Sequence, residues 1–577
     1  MSIANEVHDV VHRAHLAERR TDEAVDPLST QVIRHGLDAA AEQMMVALKR
    51  TAFSPIIYDG RDFAAAFYDT QIRLLAETQT LPVFSGSLGF CLQHTLDTIG
   101  GLDAVYEGDV YLLNYAYYTG SHQNDMVVIL PTFHEGELLS FAVCKAHHMD
   151  LGGAWVFATH TTDIWQEGTV YTPLRLYERG RRNDEVLRIL VANSRTPDIL
   201  EGDLAAQIGS CRIGLEAMER VVARYGRDQF DAAVELMFDY GERLMRRVIA
   251  AIPNGKYEAD GIADDDGISK ESVPFHVSLE VRDEDVTADF TDAPPQTRGP
   301  INSSPPTVVA CVRCALMSLI GDSETANEGY FGPIQVKTRP GTIFHALPPA
   351  PMGMFSWVSM HAVDHIHRAL SAVIPAQIPA QGGSDGVNAI NVWGTRADGT
   401  FWADATQHPG GQGAAPTYGD GGSPLLHITC SGTTVTSREL WEARTPFLVE
   451  MYELAPDSGG AGRFRGGPGV DTHHRVLRDL TVTVLWERTK SPPFGLAGGH
   501  AGRRSRIRIV YPDGSERQFT KASVQELPAG TLLILETGGG GGFGDPAERD
   551  PAAVRTDVSE GYISEDAARR DYPHAFS

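Results

Sequence analysis

No run of about 18 apolar residues occurs anywhere in the 577-residue chain, so no segment has the length and apolarity of a membrane-crossing helix. Met1 to Val25 mixes acids, bases and polar residues with no apolar stretch behind a basic one, which is not the pattern of a secretory leader. A soluble, cytoplasmic protein is expected. Basic residues are too few for a nucleic-acid or anionic-membrane partner: 49 Lys and Arg stand against 75 Asp and Glu, for a net charge of −26, whereas such binding needs clustered cations. Cysteine is scarce as well. The six, at 91, 144, 211, 311, 314 and 430, sit mostly far apart in apolar surroundings such as FAVCKA and LGFCLQ, which suits buried thiols in a reducing compartment and excludes a disulfide framework. Cys311 and Cys314 form a CxxC, but it lies in TVVACVRCALMSLIG with no second CxxC, so helix packing is expected there rather than zinc.

Nucleotide signatures are missing too. The run TGGGGGFG, Thr537 to Gly544, lacks the Lys-Ser/Thr end of a phosphate loop and is followed by Asp545-Pro546, which predicts a close-packed backbone turn. If the reaction uses ATP, another subunit has to bind it. Small molecules and other proteins remain as partners.

Glycine is abundant, 58 residues, within a chain that is 42% hydrophobic, too much glycine for a helical bundle and enough apolar residues for several cores. The patterning predicts an α+β, multi-domain protein. Apolar positions Val32, Ile33, Leu37, Ala40, Met44, Met45 and Leu48 have amphipathic helical spacing. Short apolar runs between Arg61 and Arg175, such as DFAAAFYD, DVYLLNY and DMVVILPTF, read as strands. The expected organisation is a sheet-rich domain over 27–196, a helical insert with strands over 197–298, a helix-rich region over 299–390 and a β-rich domain over 391–577.

The runs DMVVILPTF and ELLSFAVCKA are separated by His134, Glu135 and Gly136, which predicts a β-hairpin. With Glu135-Gly136 as a two-residue turn, Asp125 faces Ala146, Asn124 faces His147 and His122 faces Met149. His122, Asp125, His147, His148 and Asp150 then gather at the open end. Imidazoles with one or two carboxylates form a usual shell for Zn, Mn or Fe with positions left open for water or substrate. Strand alternation sends His147 and His148 to opposite faces, so only one of them is a ligand, and it requires 120–124 to leave strand geometry. A second group, His361, Asp364, His365 and His367 in SWVSMHAVDHIHRALS, has HxxxH spacing but lacks the Glu of HExxH. A helix surface bearing imidazoles is the expectation there.

These segments, together with FSPIIYDGRDFAAAFYD, YYTGSHQND, TDIWQEG, RGPINSSPP, WEARTPFLVEMYELAPDSGGAGRFRGGPGV and TGGGGGFGDPAERDP, resemble the hydantoinase B/oxoprolinase family along almost the whole chain. The resemblance implies the metal-dependent subunit of an ATP-dependent hydrolase of hydantoins, oxoproline or lactams. A ketone-carboxylase subunit and a non-catalytic scaffold are the alternatives. It also implies an actin-like ATPase of the hydantoinase A type that binds ATP and phosphorylates a substrate oxygen, and a hetero-oligomer built on a dimer. By motif, GSHQND supplies His122 and Asp125 as metal ligands, and AHHMD supplies His147, preferred to His148. Asp62, Asp150 and His148 are the catalytic or supporting candidates, and Asp59 is an acidic position that either joins the site or forms a salt bridge. The chain departs from the family pattern at Thr80 and Phe84, where many members have histidines, and at Asn114-Tyr115, which points to a more apolar substrate.

Overall fold

The computed structural model describes residues 10–13, 26–321, 325–386 and 388–576. It is an α+β, multi-domain structure with four sheets. The largest has seven strands in the order Leu74–Glu77, Phe63–Asp69, Glu137–His147, Asp125–His134, Val110–Leu113, Leu174–Glu178 and Arg181–Arg182. Its central strands are covered on both faces, which is why they read as unbroken apolar runs instead of alternating ones. Phe63, Ala65, Met126, Val128, Cys144 and Ala146 pack on one side, against the helices Pro27–Thr51, Pro197–Tyr225 and Arg227–Ala250. Ala64, Ala66, Val127, Ile129, Phe141 and Val143 pack on the other, in a core shared with the helices Leu88–Ile99, Pro305–Met317 and Ser356–Leu370. The first helix buries Ile33, Leu37, Ala40, Met44 and Leu48, as its spacing predicts, while Val32 is exposed.

A five-stranded sheet runs Val10–Arg13, Ile334–Thr338, Asp285–Phe290, Val273–Arg282 and Gly255–Ala263. Ile334–Thr338 pairs in parallel with Asp285–Phe290, so residues on both sides of the expected boundary at 298/299 build one sheet. Two further sheets, of four and five strands, lie between Ala389 and Glu536 and enclose a core that includes Trp441, Trp486 and Ile507. All six cysteines are free and buried, with Cys311 and Cys314 in the helix Pro305–Met317. Among the described residues no helix is long and apolar enough to cross a membrane.

The glycine run threads through other glycine segments. A Cβ on Gly540 would lie 1.9 Å from the Gln412 carbonyl oxygen, one on Gly466 would lie 1.9 Å from that of Gly540, and one on Gly539 would lie 1.9 Å from that of Ser458. Backbone N–H groups from Gly540 to Gly544 donate to the carbonyls of Gly467, Gln381, His500, Phe464 and Leu496. None of these donors is left for a phosphate.

Candidate metal centre

The hairpin Asp125–His134/Glu137–His147 carries the site, with a register one residue from the simple count. Near the turn His134 faces Glu137 and Phe133 faces Leu138, but Thr132 faces Ser140. Leu139 is the extra residue of a β-bulge, and it moves the partner of Asp125 from Ala146 to His147. The expected pairing of Asn124 with His147 is corrected accordingly. Residues 120–124 lie outside the strand, and the Asp125 N–H donates to the His122 carbonyl at 3.1 Å, a turn that folds His122 back over the strand end.

Three side chains therefore meet: among the described residues His122, Asp125 and His147 form the one group of three or more potential ligands, with ligand atoms within 4.8 Å of one another. His147 Nδ1 is 3.1 Å from Asp125 Oδ1, and His122 Nδ1 is 3.3 Å from Asp125 Oδ2. The two imidazole rings stand edge to face, 4.9 Å between centroids, with Phe157 5.1 Å from the His122 ring. Burial pulls His147 down, but its hydrogen bond with Asp125 and the charges of Asp62 and Asp125 outweigh this and hold it above the usual histidine range. Burial lowers His122 to about 4 despite Asp125. For Asp125 burial acts upward and is overcome by the two imidazoles, so the carboxylate stays ionised. Asp125 Oδ2 and His122 Nδ1 are buried without a hydrogen-bond partner. Unpaired donor atoms of this kind, facing one another, fit a divalent ion.

Alternation separates the paired histidines. His147 points to the same side as Val143 and Lys145, whereas His148 turns to the opposite side, where its Nε2 lies 2.9 Å from Gln207 Oε1 on the helix Pro197–Tyr225. Asp62, on the loop entering the neighbouring strand, accepts the His147 N–H with its carbonyl at 3.0 Å. Burial lifts its carboxyl to about 7, against the pull of His147, and its Oδ1 has no partner. Asp150 is held elsewhere. Its carboxylate accepts from Arg195 Nε at 3.0 Å and Nη2 at 2.5 Å and from the Arg195 N–H, so it braces a loop and has no free oxygen to offer as a base. Asp59 pairs with Arg444 at 3.2 Å, the salt-bridge alternative.

Sequence reasoning missed several neighbours. Lys145, fully buried, donates to Ser87 Oγ and to the Thr119 carbonyl, both at 2.6 Å, and burial depresses its ammonium; a lysine inside the apolar run FAVCKAHH was the available signal. Asp385 and Cys430 line the same small cavity as His122 and Asp62, and nothing local marks them. The HxxxH pair forms no such cluster: His365 Nδ1 engages the His361 carbonyl at 2.7 Å, and Asp364 is ion-paired with Arg488 and hydrogen-bonded to Gln381. These groups are buried, which corrects the expectation of an imidazole-bearing helix surface.

Known proteins share this architecture. The beta subunit of caprolactamase from Pseudomonas jessenii is 31% identical over 95% of this chain and 96% of its own length. The crystal structure of the ATP-dependent caprolactamase from that organism superposes with a TM-score of 0.88 at 28% identity, over 95% of this chain and 96% of the other. A nucleotide-free acetone carboxylase structure, 20% identical, shares the fold with a TM-score of 0.85 over 95% of this chain and 79% of its own. The profile of the hydantoinase B/oxoprolinase family matches residues 26–546, and the chain belongs to that family.

Proposed function

We propose that this chain is the metal-holding catalytic subunit of an ATP-dependent cyclic-amide hydrolase, acting with an actin-like ATPase of the hydantoinase A type. The observation that carries this reading is the convergence of His122, Asp125 and His147 beside a small cavity that His122 and Asp62 line. The name of the caprolactamase relative supports the substrate class. A divalent Zn, Mn or Fe ion held there would polarise a substrate oxygen and make water a better nucleophile. Asp125 Oδ1 orients the His147 imidazole by their hydrogen bond, while Oδ2, 3.3 Å from His122 Nδ1, keeps no hydrogen-bond partner. Asp62 Oδ1, the unpartnered oxygen, would accept a proton from the attacking water. Phe157 and Phe355, against the His122 ring, exclude bulk water and so strengthen every charge interaction inside. Phosphorylation of the amide oxygen on the partner would make the amide carbon more electrophilic; addition of water and cleavage of the C–N bond, with the nitrogen taking up a proton, would leave an acyl phosphate that a second water hydrolyses to carboxylate and phosphate.

The apolar cavity wall favours one second reading, a ketone carboxylase in which the same residues stabilise an enolate oxygen. ATP turnover by the reconstituted complex, run with labelled bicarbonate, separates the two. Ring opening supports the hydrolase, carbon incorporation supports the carboxylase, and neither product with any lactam or ketone would sink both. Asp62→Asn is expected to lower kcat by about 10²–10⁴ with metal content unchanged.

A further inference from the structure

The two imidazoles of the metal centre are held in different ways. His147 Nδ1 is hydrogen-bonded to Asp125 Oδ1 at 3.1 Å, whereas among the described residues no other residue hydrogen-bonds to the His122 ring, whose Nδ1 is buried without a partner. A histidine that ligates a metal usually has its second ring nitrogen held by an acceptor, which sets the plane of the ring. Packing takes that role for His122. Phe157 stands against it at 5.1 Å between centroids and 85° between planes, and Phe355 at 5.6 Å and 66°. The His122 ring therefore points where these two phenyl groups leave room for it.

Phe157 belongs to the segment 155–161 and Phe355 to the segment 350–355, both outside regular strands and helices. Glu167, in the motif TDIWQEG, is bonded to both. Its Oε1 accepts from Thr161 Oγ1 and from the Gly353 N–H, each at 2.7 Å, and its Oε2 accepts from the Met352 N–H at 2.8 Å. Among the described residues no other side chain is hydrogen-bonded to both segments. The Phe157 carbonyl is also tied to Thr483 Oγ1 and the Pro351 carbonyl to Asn302 Nδ2, each at 3.0 Å; these bonds fix each segment to its own surroundings, and Glu167 fixes one segment to the other. A carboxylate suits this position because a glutamine oxygen could accept from at most two of the three donors. The packing around it is tight. A Cβ on Gly353 would lie 2.8 Å from Glu167 Oε1, and the void lined by His122, Phe157, Thr161, Glu167 and Gly353 has a volume of about 10 Å³, room for one water at most. A displacement of the carboxylate is thus passed to the two phenyl rings and from them to His122.

We propose that Glu167 is a positioning residue of the metal centre, setting the His122 ring for the ion through Phe157 and Phe355. The inference rests on the reading of His122, Asp125 and His147 as metal ligands. The test uses the full chain and compares Glu167→Gln with Gly353→Ala, whose added methyl group crowds the same carboxylate from the other side. Zinc affinity is measured by competition with a chromophoric chelator. The visible absorption band of the Co(II)-loaded chain reports ligand geometry, which a loss of stability alone would not move. The expected result is that both variants bind zinc about 10–100-fold more weakly than the parent and show a shifted Co(II) band. Asp163→Asn, which keeps the cap of the turn next to Glu167, should leave affinity and band at the parental values. Parental affinity with an unshifted band in Glu167→Gln, or in Gly353→Ala if that variant alone folds, overturns the proposal and leaves the metal centre intact. An equal loss in Asp163→Asn assigns the effect to the turn and overturns it as well. A parental chain that takes up neither ion removes the metal-centre reading, and the proposal with it.

Discussion

His147 and His148 are adjacent, both buried, and predicted to behave in opposite ways when each is replaced by alanine. Gln207 Nε2 donates to the carbonyls of Met126 at 3.1 Å and Cys144 at 3.3 Å, so its Oε1 is the atom presented to His148, and His148 Nε2 must carry the proton. The His148 Nδ1 is bare and has no partner, in keeping with a histidine that burial holds neutral. His148→Ala leaves the Gln207 oxygen unsatisfied, which costs about 1–3 kcal/mol, and opens a hole under the helix Pro197–Tyr225, which adds about 2 kcal/mol. A total of about 3–5 kcal/mol corresponds to a rise of roughly two to four orders of magnitude in the opening equilibrium of the hairpin, readable as faster amide hydrogen exchange in 125–147. Metal content of this variant should remain stoichiometric. His147→Ala should do the reverse, losing the ion while the backbone partners Asp62 and Asn124 keep the strand end in place. The reasoning is refuted if His148→Ala is the variant that loses metal while exchange in the hairpin stays at the parental rate.

Acid should destabilise the C-terminal region from about pH 6.5 downward. His408 and His474, 3.2 Å apart through their Nε2 atoms, are both depressed by burial, with Arg438 opposing their protonation, His474 to about 3. Their unfolded values lie near 6.5, so below that pH the unfolded chain takes up protons that the folded one refuses, and each contributes a loss of up to about 1.4 kcal/mol per pH unit. Urea midpoints between pH 7 and 4 check this, and His474→Gln should flatten the slope. Gly209→Ala, inside the helix Pro197–Tyr225 with open space at its Cβ position, should stabilise by about 0.5–1 kcal/mol, measured as a higher thermal midpoint. Gly413→Ala, whose Cβ would fall 1.7 Å from the Ala380 oxygen, should yield little soluble protein on expression. Lys521→Met leaves Glu487 buried without its ammonium and should cost about 3–5 kcal/mol, while Lys521→Met with Glu487→Gln should recover a large part of that loss in the same denaturation assay.

The elements were legible wherever one rule dominated. The first helix followed from its spacing, and the doubly covered strands followed from their unbroken apolar runs. The hairpin was legible, but its register was not: Leu139 looks like any strand residue, and the bulge that spends it depends on the neighbouring strands. A one-residue error decided whether Asp125 met Ala146 or His147. Opposite facing of His147 and His148 survived that error because alternation does not depend on the partner strand. Asp150 misled for a different reason. Its place as the last residue of AHHMD suggests chemistry, while the guanidinium that claims it, Arg195, lies across a loop that local pattern cannot reach. Asp385, Cys430 and Trp357 come from distant segments and reach the cavity by tertiary packing alone. The HxxxH spacing placed its imidazoles on a helix as expected, and the core around Arg488 and His427 took them inward.

The glycine run near the C-terminus has one further consequence. Segments around 382, 411, 460, 500 and 540 are laced together by main chain against main chain, a weave in which side chains take almost no part. The main-chain hydrogen bonds of this join carry no ionisable group, so neither salt nor protons act on them directly. The join also leaves almost no room for drift, because even a methyl group collides with a neighbouring carbonyl. Any side chain at these glycines thus meets backbone, which cannot step aside as a flexible neighbouring side chain could.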